Sequence, residues 1–152
     1  MADRFTHSGQ CHCGAITVTL TLTKAAHEIE VRACQCGFCT RHGAATISDP
    51  GGSATITLTG GDRPLIYRFA LRSAEPLLCA RCGVYVGTVL RDGERGWSVA
   101  NVRALGLREF DPARATPVSY EGETIEARIA RRQAKWTPTV LRIDDAAALA
   151  IG

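Results

Sequence analysis

Seven cysteines fall into three short runs, Cys11-His12-Cys13, Cys34-Gln35-Cys36-Gly37-Phe38-Cys39 and Cys79-Ala80-Arg81-Cys82, and none lies outside them. A chain that gathers an odd number of thiols so tightly must fold around whatever those thiols bind. The central run constrains most, because its three thiols leave a shared metal ion one protein ligand short of a tetrahedron. A closed four-ligand site is normally structural, whereas three protein ligands with an exchangeable fourth position form the pattern of a working site.

Competing readings of the cysteines are weaker. Buried cysteines used as small hydrophobes would scatter instead of clustering. The spacing matches neither of the usual ferredoxin runs for an iron–sulfur cluster. Redox disulfides within Cys79–Cys82 or Cys34–Cys39 would leave the remaining thiols unexplained. Zinc accounts for all of them. Cys79-x-x-Cys82-Gly83 has the form of a zinc knuckle, in which two intervening residues let both sulfurs reach one ion and the glycine permits a tight return. Seven ligands divide as four plus three in more than one way, and spacing alone does not choose among them. Of the four histidines, His7, His12, His27 and His42, His12 sits between two thiols and is expected to point away. His42 is three residues past Cys39 and could instead close a Cys₃His site.

The N-terminal Met1-Ala2-Asp3-Arg4-Phe5-Thr6-His7 lacks a basic stretch followed by an apolar one, so no signal peptide is expected. No apolar run approaches the roughly 20 residues that cross a bilayer, so no membrane partner is expected. A reducing compartment follows, with the cytoplasm as its default, and there clustered cysteines point to metal before disulfides. A chain of 152 residues has the size of one domain, and a single zinc-binding domain over 1–152 is expected. Formal net charge is +3 with the thiols counted neutral. Metal-bound thiolates would bring the loaded protein close to neutral, which argues against a nucleic-acid partner.

Apolar alternation predicts a mostly β chain. Ile16, Val18, Leu20 and Leu22 alternate with threonines over Ala15 to Thr23, a half-buried strand. Further strands are predicted at Glu28 to Ala33, Ala44 to Ser48, Ser53 to Thr59, Leu65 to Leu71, Val84 to Leu90 and Trp97 to Val102. Asp49-Pro50-Gly51-Gly52 reads as turns. Gly60-Gly61-Asp62 reads as the turn of a hairpin joining Ser53–Thr59 to Leu65–Leu71. One helix is predicted at Thr124 to Ala134, where Ile125 and Ile129 lie four apart among charges, and a second short one at Asp144 to Ile151. Arg41 and Arg103 are candidates to meet a substrate carboxylate. The Arg128, Arg131, Arg132 and Lys135 group reads as a solvated helix face.

The order and inner spacing of the runs resemble the glutathione-dependent formaldehyde-activating enzymes, or S-(hydroxymethyl)glutathione synthases, a family that includes centromere protein V. The family pattern Gly-x-Cys-x-Cys-Gly, Cys-x-Cys-x-x-Cys and Cys-x-x-Cys-Gly is met by Gly9 to Gly14, Cys34 to Cys39 and Cys79 to Gly83. With Asn101 to Leu105 and Tyr120-Glu121-Gly122, the likeness covers most of residues 9 to 125. The resemblance implies a β-tent fold, a structural zinc on Cys11, Cys13, Cys79 and Cys82, and a second, catalytic zinc on Cys34, Cys36 and Cys39. The implied activity joins glutathione to formaldehyde, formally a carbon–sulfur lyase run in reverse. Gln35 and Thr40 stand where many relatives have histidine and arginine, and Leu78 replaces an aromatic residue. These changes keep every ligand and bear on the choice of thiol.

The residues point the same way by a separate route. A zinc neutralised by three thiolates is a poor Lewis acid for water but can bind and deprotonate an incoming thiol. The expected activity is therefore addition of a small thiol, glutathione or similar, to formaldehyde or another small aldehyde. The alternative is a non-catalytic, zinc-stabilised binding module, favoured if His42 closes the second site.

Overall fold

The computed structural model describes residues 4–59 and 63–144. The chain is mostly β, with strands joined into one open sheet and three short helices. The first layer forms where alternation is strictest. Strand β1 (Phe5–Gln10) pairs antiparallel with β2 (Ile16–Leu22). In β2, Ile16, Val18, Leu20 and Leu22 are buried and the threonines between them are only partly so, as a period of two demands on a sheet with one covered face. β3 (Arg32–Cys34), β4 (Thr46–Ile47) and β5 (Ser53–Thr59) come next, and β5 lies antiparallel to β2 with Ile56 opposite Val18 and Leu58 opposite Ile16. Gly9 of β1 is a packing requirement: a Cβ there would come within 2.5 Å of the Leu105 carbonyl oxygen.

The second half of the sheet carries the knuckle. β6 (Leu65–Ile66) pairs with β7 (Glu75–Leu78), which pairs with β8 (Tyr85–Asp92), and β8 turns through Gly93 into β9 (Arg95–Asn101). β10 (Thr116–Val118) lies parallel to β3, placing Val118 beside Cys34. The last strand, β11 (Thr137–Asp144), joins the halves: Thr137 and Pro138 pair with β9, and residues 139–144 run parallel to β5. Between the sheet's faces Leu20, Leu22, Ile47, Val86, Val102 and Phe110 are almost wholly buried, each stabilising the fold by roughly 1.5–3 kcal/mol.

Two buried polar residues show that the core is hydrogen-bonded as well as packed. Asn101 accepts from the Ala45 amide at 3.2 Å and donates to the Tyr85 carbonyl at 2.9 Å, tying β9 to its neighbours. Asp49, in the turn after β4, accepts from the Thr23 amide and hydroxyl at 2.7 Å each and from the Gly51 amide at 3.0 Å. Burial pushes its carboxyl up, but these three donors outweigh it and hold the pKa below the ordinary value.

Several sequence expectations are corrected. The strand expected at Glu28 to Ala33 is a 3₁₀ turn, Ala26–Glu28, followed by β3, because ladder partners on β4 and β10 begin only at Arg32. The hairpin of Ser53–Thr59 with Leu65–Leu71 does not form: both edges of β5 are taken by β2 and β11, and Leu65–Ile66 pairs with β7 instead. The turn assigned to Gly60-Gly61-Asp62 lies outside the described residues. Beyond Ile66 the chain leaves the sheet, and Ala70 and Arg72 adopt left-handed φ values of 53° and 52°. The predicted helix near Thr124 is α3 (Ile125–Lys135). Two shorter helices, α1 (Gly37–His42) and α2 (Val102–Leu105), were not expected, and neither were β1, β10 and β11. Of the helix predicted at Asp144 to Ile151, Asp144 ends β11 and the rest lies outside the described residues. No helix among the described residues is long and apolar enough to cross a membrane.

Candidate functional site

The hairpin between β1 and β2 holds Cys11 and Cys13, and the turn between β7 and β8 holds Cys79 and Cys82. In the first, the Cys11 amide donates to the Ile16 carbonyl at 2.9 Å, and in the second the Cys79 amide donates to the Val84 carbonyl at 3.0 Å. Gly83, at φ 78°, supplies the left-handed turn that brings the chain back. The four sulfurs lie within 4.8 Å of one another, with Cys11 to Cys13 at 3.8 Å and Cys13 to Cys79 at 3.6 Å. Such separations are far longer than the roughly 2.05 Å of a disulfide. They match the edges, about 3.8 Å, of a tetrahedron with metal–sulfur distances near 2.3 Å. Amide donors from Ile16 to Cys11 and from Arg81 and Cys82 to Cys79, at 3.3 to 3.5 Å, would steady thiolates there. His12 is exposed and outside the cluster.

The second cluster is built by a strand end and a helix start. Cys34 closes β3, Cys36 caps α1 by accepting from the Cys39 amide at 3.3 Å, and Cys39 lies inside the helix, buried. Their sulfurs also lie within 4.8 Å of one another. His42 does not join them; it is exposed and packs on Phe38, ring centroids 4.6 Å apart. Closure of this cluster by His42, left open by the sequence, therefore fails in the geometry, because α1 points that side chain to the outer face of Phe38.

Electrostatics set the thiols of each cluster apart. Donation from the Cys39 thiol pulls Cys34 down to about 5 against the effect of burial, while Cys39 rises, because it is the donor in that pair and is itself buried. In the first cluster burial pushes Cys11 up to about 12. Burial also acts to raise Cys82, but donors from Val84, Cys13 and the neighbouring thiols outweigh it and bring Cys82 to about 6. Each cluster thus pairs a thiol that ionises readily, Cys82 or Cys34, with a buried one that resists, Cys11 or Cys39, and a cation at its centre would favour deprotonating both.

The two clusters differ in what they face. Cys34, Cys36 and Cys39 line a cavity of about 600 Å³, and none of the four outer cysteines does. Phe38, Phe69 and Tyr85 form its aromatic wall beside the thiols, with Phe38 to Phe69 at 5.1 Å and Phe38 edge-on to Tyr85 at 4.9 Å. A further part of the lining comes from α3. Thr124 caps that helix by accepting from the Ala127 amide at 3.1 Å, which fixes its start and turns Arg128, Arg131 and Arg132 onto the cavity. This corrects the expected solvated face for the three arginines, which are half-buried, while Lys135 is exposed as expected; Arg128 and Arg132 lie on the side of the helix that carries Ile129, which packs toward Trp97 and Trp136.

Glu123 answers part of this charge. Arg131 donates to it twice, at 2.8 and 3.0 Å, and lies 3.6 Å over the Tyr120 ring. Its carboxyl is held below the ordinary range by Arg131 first, despite burial. The two arginines named from sequence sit elsewhere. Arg41 donates to the Gly37 carbonyl at 2.9 Å within α1, and Arg103 to the Gly43 carbonyl at 2.8 Å; both are exposed and neither lines the cavity. The signal for two of the cavity arginines was present in the spacing, since positions 128 and 132 share a face with Ile125 and Ile129.

The sequence matches the family of glutathione-dependent formaldehyde-activating enzymes over residues 6–118, more than half of the chain. Among solved structures, a crystal structure of a Rhodobacter sphaeroides protein is similar at 24% identity and a TM-score of 0.48, covering 91% of this chain and 100% of its own.

Proposed function

The chain belongs to the glutathione-dependent formaldehyde-activating enzymes, and from that premise we propose that it adds a small thiol, glutathione or similar, to formaldehyde or another small aldehyde. The observation that carries this reading is the opening of the three-thiol cluster, and not the four-thiol one, onto the cavity. In this reading Cys11, Cys13, Cys79 and Cys82 hold a structural zinc. The sulfur separations of 3.6 and 3.8 Å fit its tetrahedral thiolate shell. Cys34, Cys36 and Cys39 hold a second. Bound there, zinc would offer an incoming thiol a position at which it loses its proton near neutral pH, and its three thiolates would make it a weak activator of water.

The chain's own residues supply the rest. The aromatic wall of Phe38, Phe69 and Tyr85 limits water beside the sulfur, which preserves the nucleophile. Arg128, Arg131 and Arg132 make the α3 part of the lining positive and draw an anionic thiol inward. The thiolate attacks the aldehyde carbon, a carbon–sulfur bond forms, the carbonyl pair moves to oxygen, and a proton from solvent gives the hydroxymethyl thioether. The reverse cleavage is a carbon–sulfur lyase reaction. A cytoplasmic, reducing setting suits seven free thiols.

Exchange between glutathione and its hydroxymethyl adduct, followed by NMR, tests the reading, because the uncatalysed addition is already appreciable and product yield is uninformative. Wild-type protein should raise the exchange rate and Cys36→Ala should not. Equal rates with and without protein, across several thiols and aldehydes, would leave a zinc-stabilised binding module.

A further inference from the structure

The α3 wall carries more positive charge than its carboxylates satisfy. Arg131 is matched by Glu123. Arg128 donates to the Tyr120 carbonyl at 2.9 Å, and its buried Nε is ion-paired with Glu123 at 3.4 Å without a hydrogen bond. Arg132 has no carboxylate partner among the described residues. It donates to the Ser73 hydroxyl at 2.7 Å and lies 5.0 Å over the Trp136 ring, while its Nε is also buried and unpartnered. Burial, reinforced by repulsion from Arg131 and Arg128, brings its pKa down to about 10, which still leaves it charged at neutral pH.

A simple packing role would explain the Arg132 stem on Trp136. It does not explain two buried guanidinium nitrogens without a hydrogen bond one helical turn apart, nor an Arg132 with no carboxylate of its own on a wall where Glu123 already pairs with Arg128 and Arg131. A buried cation without a counter-ion is costly unless something supplies one. The best complement of an arginine fork is a planar oxyanion. Both arginines line the same cavity as Cys34, Cys36 and Cys39, and both lie beyond residue 118, where the family match ends.

We propose that Arg132 and Arg128 form a carboxylate-binding site that holds an acidic group of the thiol substrate in the cavity that the three-cysteine cluster also lines. The inference rests on the thiol-addition reading and narrows its substrate to acidic thiols. Neutral and cationic thiols are poor ligands. Glu123 is the resident competitor, since a bound carboxylate must share Arg128 with it.

Calorimetric titration of the zinc-loaded protein with S-methylglutathione tests this without relying on turnover, because the sulfur is capped and both carboxylates remain. The diethyl ester of the same compound is the comparison. The acid should bind at least about tenfold more tightly than the ester, the order expected for one charge-assisted contact. Arg132→Gln should remove most of that difference, and Arg128→Gln, which serves equally if the first variant fails to fold, should reduce it. Glu123→Gln should tighten binding of the acid. Equal affinity for acid and ester, no measurable binding of either at millimolar concentration, or an Arg132→Gln protein that folds and still prefers the acid overturns the proposal. Accelerated exchange with equal binding of acid and ester would remove the arginine site and keep the reaction. Arg132-dependent binding with unaltered exchange would keep the site and remove the reaction.

Discussion

Cys13 and Cys79 are 66 positions apart in sequence and their sulfurs are 3.6 Å apart. The contact ties the β1–β2 hairpin to the knuckle between β7 and β8, so a cation there would close a loop that runs through most of the sheet. The three-cysteine cluster closes nothing comparable, since its ligands lie within one strand end and the first turns of one helix. Geometry therefore assigns the clusters different energetic roles.

That difference predicts unequal damage. Cys82→Ser should abolish soluble folding or cost several kcal/mol, because binding at a site of distant ligands is itself folding free energy. Cys36→Ser should fold, melt close to wild type, and retain about one zinc per chain where wild type holds about two. Thermal melts with elemental analysis check both, and equal destabilisation by the two substitutions would refute the division of roles.

Spacing made the metal-binding character of the cysteines legible, whereas their division into four and three came only from the family resemblance. Clustered cysteines and the alternation from Ile16 to Leu22 are local signals, and the structure carries both through. The pairing of β5 was not legible, because the partner that takes its second edge, β11, lies some 80 positions away. Nor does β11 advertise itself: Val140, Leu141 and Ile143 all remain substantially exposed, so the strand lacks the apolar alternation of a one-sided sheet. The arginines of α3 misled for a related reason. The face that Arg128 and Arg132 share with Ile129 was visible, but a charged face normally points outward, and only the cavity they line explains the inversion.

Acid stability should report on Glu75. Arg91 donates to its carboxylate at 2.6 and 2.9 Å and Arg68 at 2.6 Å, so Arg91 foremost holds the pKa of this nearly buried group below its ordinary value against the effect of burial. A folded pKa lowered in this way stabilises the native state at every pH above the unfolded value of about 4.3. The contribution is lost as pH falls through the folded value. The melting temperature of wild type should exceed that of Glu75→Gln by a constant margin above about pH 5, and the margin should shrink steadily below about pH 4. Comparing the two proteins cancels any loss of metal in acid, which affects both. A margin that widens in acid would show that the carboxylate is not ion-paired in the fold.

Metal removal should separate the clusters in time. The three-cysteine site opens onto a cavity large enough to admit a small chelator, whereas the four-cysteine site, although Cys13 is exposed, has Cys11 and Cys79 each only 1% exposed and joins distant segments. A chelator should therefore take about one zinc quickly, with far-UV circular dichroism unchanged, and the second slowly, with loss of β-sheet signal, because stripping it requires the hairpin and the knuckle to part. Addition of S-methylglutathione should slow the first phase if the cavity is its binding site, and leave the second unaltered. Release of both ions in a single phase that tracks unfolding would mean that the three-cysteine site is as much a part of the folding unit as the other.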